Sequence, residues 1–391
     1  MSRFLFATWD GAGNLVPTLA VARRLSRAGH DVRVLGHRAI DRRLGAHGWR
    51  FRPFRRTIDV DSTAPADPGG GMLRPAQDLW VARSVAEDVQ EELQREAADV
   101  LIADCMLFTA MSAGHAVRIP TIALFHAAFA LFRRGPLVDL ISSLLPQLNA
   151  VRADLGLGAV ERLSDVHDAC AMSVVATPRE FDPPVPLPPN VCFAGPLLDT
   201  PAPLAAGGSA GMHTGDRPLV LVSLSTSDQG QMPILQRLIG ALSSLHVQAI
   251  VTTGPAVDPA ALAPSAHVQV VRFVPHREIL PHAALVITHA GLGTVMSSLA
   301  AGVPLLCIPF GRDQFYNASR VEALHVGAIA AREADDQTLR AHVERLLFDE
   351  DARVAAARFA AVIRGYDRGI AAVQAIEHFA RRAPLALECA E

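Results

Sequence analysis

The feature that most constrains this chain is an alternation of short apolar runs with helix-spaced segments, present in both halves. Arg3 to Thr8 reads as a buried strand, Leu15 to Ala28 as an amphipathic helix stopped by Gly29, and Asp31 to Leu35 as the next strand. Strands are expected again at Asp99 to Ala103 and Thr121 to Phe125, with a helix over Phe108 to Val117. Strands joined through helices run parallel, because the chain must return to the same end of the sheet. The second half repeats the pattern, with strands at Leu219 to Ser225, Gln248 to Thr252, Val268 to Phe273, Leu285 to Thr288 and Pro304 to Ile308. The expected fold class is α/β, two Rossmann-like parallel-sheet domains facing across an inter-domain cleft. The expected layout is an N-terminal domain over 1–200, an Ala/Gly/Ser-rich linker over 201–216 and a C-terminal domain over 217–365. A last helix over 366–391 is expected to pack back on the N-terminal domain.

Composition narrows the chemistry. The 391 residues exceed what one core organises, and half of them are apolar, so two substantial cores are affordable. A net charge of -3 leaves no basic surplus for a phosphate backbone, so nucleic acid is an unexpected partner. All 36 basic residues are arginine; without lysine there is no Schiff base, no Walker lysine and no pyridoxal attachment. Five cysteines, scattered and without a C-x-x-C pair, suggest neither a disulfide framework nor a zinc site. No run approaches the roughly 20 apolar residues of a membrane span, and the opening residues do not read as a signal peptide, so a cytoplasmic protein is expected. A homodimer is admitted but not required.

The strongest local signal is Thr288-His289-Ala290-Gly291-Leu292-Gly293-Thr294, at a strand-to-helix junction. Glycines there let the backbone approach a ligand, and the first amides of the helix offer an anion site. Two glycines alone more often make only a tight turn; the flanking residues favour the ligand reading. His289 stands beside the helix N-terminus, and Asp313-Gln314, past the next strand, offer the acceptor and mixed donor/acceptor groups that hold sugar hydroxyls.

Together, Phe273-Val274-Pro275-His276, His289-x-Gly-x-Gly-Thr, Gly302-Val303-Pro304 and Asp313-Gln314-x-x-Asn317 resemble the sugar-donor signature of family 1 (UDP-glucuronosyltransferase-like) glycosyltransferases of the GT-B fold. The likeness is nearest to the bacterial branch that decorates antibiotics and other natural products, and it spans nearly the whole chain. It implies an inverting enzyme that moves a sugar or deoxysugar from a TDP- or UDP-sugar to a hydrophobic small-molecule acceptor, with no cofactor and no metal. It implies further that the backbone around Val274, beside Phe273, holds the nucleobase. His289 and the Gly291, Gly293, Thr294 and Val295 turn would hold the diphosphate, and Asp313 with Gln314 the sugar. Ser225 and Thr226, at the end of the first strand of that half, join the same set. Plant members grip the ribose with a glutamate where this chain has Ser297, which favours TDP over UDP.

The N-terminal turn, Trp9-Asp10-Gly11-Ala12-Gly13-Asn14-Leu15-Val16-Pro17, departs from two patterns. It lacks the third glycine of a dinucleotide fingerprint, which disfavours NAD. Family members usually carry a histidine base three residues before the proline; here Asn14 stands there, and a neutral amide cannot take a proton. Asp104, matching the acid that usually pairs with that histidine, is the first candidate base, Asp10 the second and His126 the third. Each carboxylate is about as readily a helix cap or turn-former, and a lone histidine near an apolar run is more often core. Trp9, Met72, Trp80, Phe108, His126 and Phe129 are expected to line the acceptor side, about half of the aromatic residues there being simply core. Asp59-Val60-Asp61 spells a metal-binding D-x-D but reads better as solvated loop. The missing histidine prompts a rival function, a non-catalytic homologue that binds nucleotide sugar or activates a partner transferase, against which the intact Asp313-Gln314 signature argues; a nucleotide-sugar 2-epimerase, a third reading, would need more carboxylates than Asp313.

Overall fold

A computed structural model of the chain describes residues 1–11, 13–44, 49–59, 76–198, 216–225, 228–367 and 369–382. Two compact units emerge from the contacts, each built on one parallel sheet. The first sheet has seven strands, β1 Arg3–Ala7, β2 Asp31–Gly36, β3 Arg50–Pro53, β4 Val100–Asp104, β5 Thr121–Phe125, β6 Met172–Val175 and β7 Val191–Phe193. Their order is β3-β2-β1-β4-β5-β6-β7. The second has six, β8 Leu219–Ser223, β9 Gln248–Thr252, β10 Val268–Val271, β11 Ala283–Thr288, β12 Leu305–Cys307 and β13 Gly327–Ile329, in the order β10-β9-β8-β11-β12-β13.

The central strands are buried along their whole length, as helices on both faces of a parallel sheet require. The register sets Ala7 of β1 beside Ala103 of β4, and Asp104 beside Leu124 of β5. These pairings bring the carboxyl ends of three strands to one level. Asp104 is thus the last residue of β4 rather than the first beyond it, one residue later than the sequence pattern suggests.

The chain's tail is two helices, Glu350–Gly365 and Ile370–Arg382. The first packs in the second unit against the helix Leu292–Ala301, which ends on Gly302 with φ at 74°, a left-handed turn that glycine adopts without penalty. The second belongs to the first unit. Its Ala372, Val373, Ile376 and Ala380 join Phe4, Phe6, Val21 and Leu25 in one core. Its Glu377 meets His30 at 3.1 Å. Burying its Val and Ile alone stabilises that unit by about 1.5–3 kcal/mol per side chain. Val60, Asp61, Met72, Thr226 and the expected linker at 201–215 lie outside the described residues. Among the described residues no helix is long and apolar enough to cross a membrane.

Candidate active site

In the first sheet the strand order reverses between β1 and β4, and open parallel sheets bind their ligands at the carboxyl ends beside such a reversal. Trp9, Asn14, Asp104 and His126 gather there. The Asp104 carboxylate is buried and faces four donors. Its Oδ1 accepts from Trp9 Nε1 at 3.1 Å and from the Met106 N–H at 3.0 Å. Its Oδ2 accepts from Asn14 Nδ2 at 3.0 Å and faces His126 Nδ1 at 3.0 Å. Asn14 has no free group left: Oδ1 accepts from the Gly11 N–H at 3.0 Å, and Nδ2 also donates to the Trp9 carbonyl at 2.9 Å. The amide is a peg that folds the Trp9–Asn14 turn onto Asp104.

The charges follow from this geometry. Burial by itself would raise the Asp104 pKa, but the His126 charge and the N–H donors outweigh it and hold the carboxyl below its ordinary range. Burial would likewise lower His126; the facing Asp104 carboxylate, with Cys105 beside it, instead holds the imidazole well above its usual 6.5. Burial pushes the Cys105 thiol up, leaving it protonated. Asp104, Cys105 and His126 place three potential ligand atoms within 4.8 Å of one another, but a carboxylate already occupied by N–H groups beside a protonated thiol is poor cation chemistry. Asp10 is buried, and its N–H donates to His37 Nδ1 at 3.1 Å, past the end of β2.

The second sheet reverses between β8 and β11, and there His289, Gly291, Ser223 and Ser225 gather. A Cβ on Gly291 would come within 2.6 Å of His289 Nε2, so only glycine lets the ring lie over the turn. Burial and then the nearby Arg312 charge push His289 down to about 4, so the ring is neutral at pH 7. Its Nδ1 is buried without a hydrogen-bond partner among the described residues. The turn is braced from the next helix, Gln314–Ala323: Asn317 Nδ2 donates to the Ala290 carbonyl at 3.0 Å and to Asp313 Oδ2 at 2.9 Å. Thr294 and Val295 N–H groups both donate to the Gly291 carbonyl, at 3.0 and 3.1 Å. The amides that helix geometry leaves for an anion are those of Leu292 and Gly293.

A model of the erythromycin biosynthesis protein CIII-like C-terminal domain matches residues 236–365. Across 96% of this chain and 99% of its own length, 4'-demethylrebeccamycin synthase of Lentzea aerocolonigenes is 28% identical. Among solved structures, the calicheamicin glycosyltransferase CalG4 superposes with a TM-score of 0.80, at 21% identity over 98% of this chain and all of its own. The glycosyltransferase VinC, in complex with DTDP, does so at 0.77, with 17% identity over 97% of this chain and 100% of that one. The chain has the GT-B fold of these glycosyltransferases.

Within this fold the residues singled out from sequence fare differently. Phe273 stands 75% exposed while its neighbour Val274 is buried. Gln314, expected to hold the sugar, is turned inward: Oε1 accepts from the Phe310 and Gly311 N–H groups at 2.8 and 3.1 Å, and Nε2 donates to Gln229 Oε1 at 3.0 Å. Gln229 in turn donates to Ser225 Oγ at 2.6 Å, so the two glutamines tie the β8 loop to the β12 loop. Asp313 keeps a partly exposed carboxylate. Val295, expected to offer its amide to a diphosphate, has that amide in the helix ladder instead. Of the expected acceptor-side aromatics, Trp80, Phe108 and Phe129 are buried. Phe108, Phe125 and Phe132 surround the His167 ring with centroids 4.7–5.3 Å away, and Phe129 packs on Phe125 at 5.3 Å. They are core; Trp9 and His126 keep exposed edges. Sequence reasoning passed over the glutamine tie, because Gln229 stands 85 residues from Gln314 and belongs to no motif, while the motif around Gln314 pointed to a sugar instead.

Proposed function

We propose that the transferase moves a sugar, with inversion at the anomeric carbon, from a nucleoside diphosphate held by the second unit to a hydroxyl of a hydrophobic aglycone held by the first, without a metal. The observation that carries this reading is the His289–Gly293 turn, where a buried neutral imidazole with an unpartnered nitrogen lies beside open helix amides. Such a site receives the negative charge that grows on the leaving diphosphate, with exposed Arg312 as a further counter-charge. Phe273 offers an open face for the nucleobase and Asp313 a carboxylate for sugar hydroxyls.

The preferred donor is a TDP-sugar. Ser297 stands where plant members use a glutamate on the ribose hydroxyls, and its hydroxyl already donates to the Gly293 carbonyl at 2.7 Å. A site with no grip on a 2′-hydroxyl loses nothing by binding deoxyribose. The DTDP bound to the related VinC supports the same choice.

Calorimetric titration of the purified chain with dTDP and UDP tests the donor half. Tighter binding of dTDP is expected, with both weakened in His289→Ala. Incubation with TDP- and UDP-sugars and a panel of phenolic and polyketide aglycones, read by mass spectrometry, tests transfer. A chain that binds neither nucleotide and glycosylates nothing overturns the reading.

A further inference from the structure

We propose that His126 is the general base of the transfer, taking the acceptor proton on Nε2, and that Asp104 is the residue that positions it. The inference rests on the transfer reading above and names the group that replaces the histidine missing at Asn14. Geometry decides between the two candidates. Asp104 is buried with four donors around its two oxygens, so no face of the carboxylate is open to an acceptor hydroxyl. His126 turns Nδ1 toward Asp104 at 3.0 Å and keeps 17% of its side chain exposed. Its Nε2 has no hydrogen-bond partner among the described residues. An imidazole oriented on one nitrogen by a buried carboxylate and open on the other is the arrangement that accepts a proton while its partner holds the resulting charge.

The chain places this pair where the chemistry needs it. Asp104 closes β4 and His126 follows β5, so adjacent parallel strands carry the two groups to one level at the sheet's order reversal. Asn14 keeps the Asp104 end of the arrangement fixed: its Nδ2 supplies one of the four donors. The reactive position has moved from the first helix's entry to the end of β5, while the carboxylate has stayed.

In the step itself the acceptor O–H bond breaks as its proton passes to Nε2. The oxygen's electron pair forms the new bond to the anomeric carbon, and the bond from that carbon to the diphosphate oxygen breaks with its electrons leaving on the phosphate. The imidazolium faces Asp104 across Nδ1, and release of its proton to solvent resets the ring. Among the described residues the charged and titratable groups that face the ring are Asp104 and Cys105, whose Sγ lies 3.7 Å from Nδ1. The base works only when neutral, and the Asp104 charge delays that, so activity should rise with pH along a limb above the ordinary histidine range.

The test uses the full chain, an aglycone that the wild type glycosylates and three variants. His126→Gln, which keeps a hydrogen bond to Asp104, is expected to lower kcat by about 10²- to 10⁴-fold with dTDP affinity unchanged. Asp104→Asn is expected to move the limb of the pH profile to lower pH, and the ¹⁵N-detected titration of the His126 ring with it, a displacement that loss of packing alone would not cause. His126→Phe, which fills the space without a base, should match the Gln variant. Wild-type rates and an unmoved profile in His126→Gln, or an ordinary ring titration in the wild type, overturn the assignment. If the wild type binds no nucleotide and transfers to no aglycone, the transfer reading itself fails, and the base assignment fails with it.

Discussion

The two units present the same architectural solution with opposite electrostatics. Each has a parallel sheet whose order reverses beside its first strand, and each hangs a histidine from a strand end at that reversal. In the first unit His126 faces a buried carboxylate and is held above its ordinary pKa; in the second His289 has no acidic partner beside it among the described residues, and burial with Arg312 pushes it down to about 4. The carboxylate end of the first pair is saturated by donors, whereas His289 retains a bare buried nitrogen. On the proposed reading the first unit's histidine gains a proton and the second unit's meets an anion. The lesson is that a strand-end histidine takes its role from what stands on its far side, not from the fold that presents it.

The comparison can be broken most severely at Gly291. In Gly291→Val the new side chain must displace the His289 ring, so a loss of kcat on the order of 10²- to 10³-fold, with weakened dTDP binding by calorimetry, is expected while the Asp104–His126 pair still titrates as in the wild type. Next comes Asp104→Ala, which leaves Trp9, Asn14 and the Met106 amide without their acceptor and His126 without its counter-charge. Breaking a buried pair from one side costs about 3–5 kcal/mol, to be read from urea unfolding followed by a probe in the first unit. Asn317→Leu removes the brace under the Ala290 carbonyl and should cost about 1–3 kcal/mol while raising KM for the donor more than it lowers kcat.

Acid separates the histidines more gently. His289, like His115 and His167, refuses protons in the folded chain until about pH 4, while the unfolded chain binds them near 6.5, so these groups lose stability as pH falls from about 7 toward 4. His126 has the opposite sign: its contribution is complete below 6.5 and is lost as pH rises through its elevated value. His37, His276 and His342 are also held below the ordinary histidine value, so six depressed histidines oppose one elevated one and the Tm measured by calorimetry should fall between pH 7 and pH 5. The smallest expected effect is at Ser297→Glu, which should raise UDP affinity relative to dTDP by up to about tenfold, read by parallel titrations.

How much of this could be read beforehand follows from what local sequence encodes. Strands buried on both faces, such as Phe4–Ala7 or Leu219–Val222, are unbroken apolar runs and were plain in the sequence. The edge strands β3, β7 and β13 were not, since Arg50–Pro53 alternates arginine with apolar residues and the other two span only three residues each. The glycine turn at His289 was legible because the reason for each residue lies within the turn. Asn14 was legible as an absence only: that its amide would hold a carboxylate 90 positions away is a property of strand order. Gln314 misled for the same reason, its partner lying on the loop after β8. The aromatics around His167 carried no mark distinguishing a lining from a core.

The last helix has a consequence for the order in which the protein can be made. Val373 and Ile376 form part of the wall behind Phe4 and Phe6, so the first unit to leave the ribosome is also the last to be finished. Until residue 380 or so has emerged, the nascent first unit exposes an apolar groove over its first helix, and it depends on the intervening unit to deliver the missing piece. Segments on either side of the second unit thus share one core, and a fragment cut between the units would be short of it.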